Sequence, residues 1–137
     1  MRNKLLAMVG GVMMTLLAAL GVAAQQAEIE DTISSQIEAF KADDFEQAFT
    51  YATPDLQRLF QSPQNFQRMV TQGYPMVWRP AEVTYLEIEE RGSILFQKVQ
   101  IVDAKGRQHL LLYRMVQTDQ GWRIGGVQIL QASDFSA

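Results

Sequence analysis

Residues 5–20 are apolar apart from Thr15, with Arg2 and Lys4 ahead of them and Gly10 and Gly11 inside the run. Val22-Ala23-Ala24 then offers small residues at the third-last and last positions before a cut, and Gln25-Gln26 turns polar at once. A short cationic start, an apolar stretch and small residues at its end describe an export signal cleaved after Ala24. The alternative is an uncleaved helix, since residues 5–24 are about long enough to span a bilayer. The weak helix end at Gly21 and the lack of a basic residue before Lys41 favour cleavage. Residues 1–24 are therefore read as a signal peptide and 25–137 as one domain. That domain is exported, periplasmic or secreted, and meets a membrane only through a retained leader.

Beyond the leader the apolar period is helical. Ile29, Ile33, Ile37 and Phe40 form one stripe on a helix over residues 27–41. Glu28, Glu30 and Asp31 fall in its first turn, where carboxylates suit the positive end of the helix dipole. They do not share a face and no His joins them, so they read as a solvated helix start, not a metal site. Asp43 with Glu46 resembles a capping box opening a second helix, whose inward face is Phe45, Ala48, Phe49 and Ala52. Thr53-Pro54 and Ser62-Pro63 each read as a cap followed by proline at the first helical position. Leu56, Leu59 and Phe60 supply the apolar side of one short helix, and Phe66, Met69 and Val70 that of the next, which Gly73 ends.

All four prolines lie between residues 54 and 80, so Tyr74-Pro75-Met76-Val77-Trp78-Arg79-Pro80 is expected to be extended and stiff. Its Tyr74 and Trp78 would cover a core or line a pocket mouth. Arg79, between Trp78 and Pro80, pairs with a carboxylate, stacks on a ring or meets an anionic ligand.

From residue 82 the pattern changes to strands near 82–90, 93–102, 107–118 and 121–131, rich in Val, Ile, Leu and Tyr. Turn signals at Arg91-Gly92, 103–106 and 119–121 make them an antiparallel meander. The fold class is α+β: short N-terminal helices packed on a curved four-stranded sheet. A three-residue turn at 119–121 would set Trp122 and Ile124 beside Val116, Leu110 and Leu112. A bulge at Gly125-Gly126 would reset the alternation, so that Val127 and Ile129 join them. The other face would carry His109, Leu111, Tyr113, Met115 and Leu130. Neither face is polar, so the one without helices would hold a small apolar ligand or a second copy of the chain.

Composition narrows the chemistry. The 137 residues carry a formal net charge of −3, which becomes −5 once Arg2 and Lys4 leave with the signal. That balance excludes a nucleic-acid binder. The chain has no Cys and one His, so disulfides, thiolate sites and His-cluster metal sites are excluded, and no cofactor is implied. His109 is the side chain whose ordinary pKa suits proton transfer near neutrality, and Tyr113 lies on the same face. They form the candidate acid/base pair. No nucleophile-elbow serine and no phosphate loop is present.

Four stretches carry a resemblance: Gln57-Arg58-Leu59-Phe60; Phe66-Gln67-Arg68-Met69-Val70; Gly73-Tyr74-Pro75-Met76-Val77-Trp78-Arg79-Pro80; and Gly121-Trp122-Arg123-Ile124-Gly125-Gly126-Val127. The chain resembles a family of small bacterial proteins, the domain of unknown function 4864, over residues 30–131. That family is similar to the nuclear-transport-factor-two-like (cystatin-like, SnoaL-like) superfamily. The resemblance implies a cone-like sheet wrapped around helices. The superfamily includes isomerases and dehydratases, which place an Asp, His or Tyr inside the cone, and also non-enzymatic binding and dimerisation modules. No catalytic residue carries over from the family. Two readings follow: a non-catalytic binding module using Tyr74, Trp78, Arg79, Leu111, Tyr113, Met115 and Leu130, or an acid/base enzyme using His109, with or without Tyr113, and Arg79 to orient an anionic substrate.

Overall fold

A computed structural model describes the backbone of residues 2–131 and the side chains from Gly21 onward. Five helices precede four strands: α1 (Arg2–Lys41), α2 (Phe45–Thr50), α3 (Pro54–Phe60), α4 (Pro63–Gly73), α5 (Pro75–Trp78), β1 (Pro80–Arg91), β2 (Ile94–Asp103), β3 (Gln108–Thr118) and β4 (Gly121–Ile129). The expected helix over residues 27–41 is the last part of a longer one, so Ala27 is not its start. The leader expected over residues 1–24 lies, as far as Leu20, outside the residues whose side chains are described. Residues 21–28 are exposed, and burial begins at Ile29. Among the described residues no helix is long and apolar enough to cross a membrane.

Ile29, Ile33, Ile37 and Phe40 are all buried, as their spacing requires. Each removes apolar surface worth roughly 1.5–3 kcal/mol. Thr53 and Ser62 cap α3 and α4, their hydroxyls accepting from the amides of Leu56 and Asn65, with proline in the first turn of each helix. The cap of α2 falls one residue later than expected. Asp44, not Asp43, accepts from the Gln47 amide, because Asp43 has turned to φ 57° and points its carboxylate elsewhere. Leu59 is 71% exposed, so α3 turns only Leu56 and Phe60 inward. Residues 74–80 are not extended throughout. Tyr74 and Arg79, each followed by proline, do leave the helical region, but the four residues between them close into the single turn α5.

The sheet is open, with order β1-β2-β3-β4 and antiparallel pairing throughout. Thr118 pairs with Gly121, so the β3–β4 turn holds two residues, not three. Gly121 has φ 101°, and the Thr118 hydroxyl accepts from the Gln120 amide and donates to the Gly121 carbonyl. One fewer residue inverts the expected register. Trp122 and Ile124 therefore stand opposite Gln117 and Met115, on the face of Tyr113 and Leu111, and not with Val116, Leu110 and Leu112. The bulge falls at Gly125, where a Cβ would lie 2.7 Å from the Arg114 guanidinium and 3.2 Å from Val116. It restores Val127 and Ile129 to the face of Trp122 and Ile124.

That shared face is the core. Val99, Ile101, Leu111, Tyr113, Met115, Trp122 and Ile124 form one buried cluster with the residues of α1, α2, α4 and α5. The opposite face carries Phe96, Lys98, Leu110, Leu112, Arg114 and Val116, all half-buried. β1 is one edge of the sheet. The other, β4, is met by the α2–α3 link: Thr53 donates its amide to the Ile124 carbonyl and Ile124 its amide to Tyr51, a short parallel bridge.

Candidate functional site

Helices cover the sheet incompletely. Between them and the strands lies a cavity of about 240 Å³. Phe40 and Gln36 reach it from α1, Leu56 and Phe60 from α3, Phe66, Met69 and Val70 from α4, and Tyr74 and Val77 from the segment around α5. Tyr113, Ile124, Gly126 and Val127 form its sheet side. The phenylalanines set its shape, with Phe66 in ring contact with Phe40, Phe49 and Phe60 at 5.3–5.8 Å. No charged side chain lines it.

Polar groups in the lining are few. Tyr74 donates its hydroxyl to the Val127 carbonyl at 3.1 Å and so ties the start of α5 to β4. Gln36, 4% exposed, donates its amide nitrogen to the Ala48 carbonyl at 3.2 Å, which turns its side-chain oxygen away from that bond. Tyr113 is 1% exposed, and its hydroxyl has no hydrogen-bond partner among the described residues. Burial pushes the Tyr113 phenol well above its ordinary pKa, with a smaller contribution from Tyr85. It is therefore a neutral hydroxyl at any physiological pH.

Two polar clusters lie outside the cavity. Asp43 accepts from Trp78 Nε1 at 2.8 Å and from Arg79 at 2.9 and 3.1 Å, while the Arg79 guanidinium sits 4.4 Å over the Trp78 ring. The Trp78 hydrogen bond, then Arg79, holds the Asp43 carboxyl below its ordinary pKa. Arg79 thus has both the carboxylate and the ring that its position suggested, and Asp43 neutralises the charge an anionic ligand would need. The second cluster closes the β2–β3 turn. The Asp103 carboxylate accepts from the amides of Lys105 and Arg107, from Arg107 Nε and, at 2.8 Å, from His109 Nε2. The His109 bond is the largest cause of its lowered pKa, followed by the Arg107 amide.

The sequence candidates therefore separate. Tyr74 and Tyr113 meet at the cavity. Trp78, Arg79 and His109 instead border a hollow at the β2–β3 turn, with Met76 and Lys105. His109 and Tyr113 share a strand face but not a cavity, because Leu111 fills the core between them. Leu111 and Met115 are 0% exposed under the helices, so the uncovered face expected to hold them is the covered one. Leu130 is on the other side of the sheet, its amide bonded to Leu110. No group of three or more His, Cys, Asp or Glu among the described residues could hold a metal.

The sequence profile of a family described as a domain of unknown function (DUF4864) matches residues 22–137. The chain belongs to the DUF4864 family. The match begins within the exposed stretch of α1 and spans the helices and strands that enclose the cavity. Among curated proteins none matches. Two solved structures are similar to this DUF4864 chain, both described as NTF2-like proteins of unknown function. One, from Burkholderia xenovorans LB400, is 13% identical with a TM-score of 0.44, over 82% of this chain and 94% of its own. The other, from Burkholderia pseudomallei K96243, is 16% identical with a TM-score of 0.33, over 78% of this chain and 92% of its own.

Sequence reasoning missed Gln36 and most of the phenylalanine wall of the cavity. Gln36 lies three residues after Ile33 on the stripe side of α1, and a polar residue there was the available signal. Phe40, Phe60 and Phe66 were legible as core, but the space among them was not.

Proposed function

We propose that this DUF4864 protein is an exported, non-catalytic module that binds a small molecule in the cavity between its helices and β3–β4. One observation carries the reading: a mainly apolar, half-open hollow with a few placed polar groups and no charged side chain, the general make-up of a ligand site. The acid/base alternative rests on His109 with Arg79, which border one hollow without Tyr113, and there Asp103 already holds His109 and Asp43 holds Arg79. Export is supported by the leader pattern and by the exposure of residues 21–28, since a cut after Ala24 removes no buried side chain among the described residues. A second copy of the chain would dock on the uncovered sheet face. There Phe96, Leu110, Leu112 and Val116 stand half-buried, and the acidic β1 of one copy would face Arg114 and Arg123 of the other.

Native mass spectrometry of the protein recovered from the exported fraction tests all three parts. The expected result is an N-terminus at Gln25, a dimer mass and an additional bound mass of small-molecule size. Absence from the exported fraction removes the export reading, an N-terminus at Met1 removes cleavage and leaves the leader as an anchor, a monomer removes the dimer, and a bare chain mass counts against binding.

A further inference from the structure

The cavity's lining also restricts what it can hold, if the binding reading above is right. Its volume of about 240 Å³ compares with the roughly 150 Å³ apolar cavity that accepts benzene. In that proportion it takes about ten non-hydrogen atoms. Phe40, Phe60 and Phe66 line it with aromatic side chains and Met69 with a polarizable thioether, all of which favour an aromatic guest.

Charge is excluded by what surrounds the guest. An ionised carboxylate or ammonium placed at the inner end, beside the buried Tyr113 and Gln36, would have no opposite charge in the lining, a cost of several kcal/mol in general. Arg79, the cation singled out in the sequence, borders a different hollow and is already held by Asp43. Yet the lining is not wholly apolar. The Gln36 side-chain oxygen accepts, while its amide nitrogen gives one of its two hydrogens to the Ala48 carbonyl. The Tyr113 hydroxyl can donate or accept, and no described residue uses it. A guest hydroxyl answers both, donating to one oxygen and accepting from the other.

We infer that the cavity binds a neutral, bicyclic-sized aromatic alcohol, a phenol or naphthol in chemical class, whose hydroxyl is recognised by Tyr113 and Gln36. An aromatic hydrocarbon of the same size leaves both polar groups idle, and an aromatic carboxylate brings a charge the site cannot pair.

Calorimetric titration of the full-length protein with 2-naphthol, naphthalene and 2-naphthoate tests this. One recognised hydroxyl is worth about 1.4 kcal/mol, so 2-naphthol should bind about tenfold more tightly than naphthalene, and 2-naphthoate more weakly than either. Tyr113→Phe should erase the preference of 2-naphthol over naphthalene. Gln36→Leu is the second variant, should the first lose its fold by circular dichroism. Met69→Trp, which fills the enclosure from its rim, should abolish binding of both neutral probes. Equal affinities for 2-naphthol and naphthalene, or a preference for 2-naphthoate, would overturn the assignment while leaving a binding cavity. If none of the three binds but native mass spectrometry still shows a bound mass, the ligand class is wrong and the module stands. If both experiments are blank, both readings fall.

Discussion

Phe66 is where core and cavity meet, and its truncation makes a sharp test of both. The side chain is 3% exposed and touches the rings of Phe40, Phe49 and Phe60 at 5.8, 5.3 and 5.6 Å. Phe→Ala in a packed core costs about 3–5 kcal/mol. Ring pairs add about 0.5–1.5 kcal/mol each beyond the area they bury, which pushes the value up. Against that, one side of the ring already faces the cavity, where there are no neighbours to lose. The expected loss is therefore about 3–4 kcal/mol, a large share of a stability of about 5–15 kcal/mol. For a domain of this size the midpoint should fall by about 12–16 °C. Urea unfolding followed by circular dichroism, with the slope m compared between variant and parent, reads this directly. Phe66→Leu should cost clearly less. A loss below about 1 kcal/mol for Phe66→Ala would mean that the four rings do not form one cluster, and the cavity they enclose would go with it.

The remaining expectations concern the caps and the turn. Thr53→Ala removes the hydroxyl that accepts from the Leu56 amide and should cost about 1 kcal/mol in thermal unfolding, where Thr50→Ala, exposed on α2, should cost less. The Asp103 carboxyl is held below the ordinary value of 3.8, chiefly by His109 and then by the Arg107 amide. A depressed acid stabilises the fold fully above its unfolded pKa, and that contribution is lost as pH falls through the folded one. The acid limb of a plot of midpoint against pH should therefore be shallower in Asp103→Asn, and parallel curves would show that the turn cluster does not contribute. Leu112→Glu, on the uncovered face, should leave a dimer dissociated by size-exclusion chromatography with light scattering. Leu111→Glu, at 0% exposure, should fail to fold at all.

The helical half of the fold was legible because its signals are local. A Thr-Pro or Ser-Pro start carries its own hydrogen bond and its own fixed φ, so α3 and α4 begin where the sequence says. Periodicity likewise placed Ile29, Ile33, Ile37 and Phe40 inside. The sheet's order was legible for the same reason, from its turn glycines. Its facing was not. Whether the β3–β4 turn holds two residues or three depends on the Thr118–Gly121 pair, and one residue decides which of Leu110 or Leu111 meets the helices. The site was harder still. Tyr74 and Tyr113 stood out as aromatics with a polar end, but Gln36 becomes informative only when its nitrogen is seen bonded to Ala48. Asp43 was read as a cap because Asp often is one, while its actual partners, Trp78 and Arg79, lie 35 and 36 residues away.

The sheet ends differently on its two sides. Backbone from the α2–α3 link bridges the β4 edge at Ile124, whereas β1 carries the exposed acids Glu82, Glu87, Glu89 and Glu90, of which Glu87 pairs with Lys98 and Glu89 with Arg91. An open strand is a template for strand addition by another molecule, and charge along it is one way proteins suppress that. Self-polymerisation is thus opposed by backbone contact on one edge and by charged side chains on the other, and only the charges are screened by dissolved ions. Concentrated salt should leave β4 closed and make β1 alone adhesive, so that any aggregate of the folded molecule would grow from that single edge.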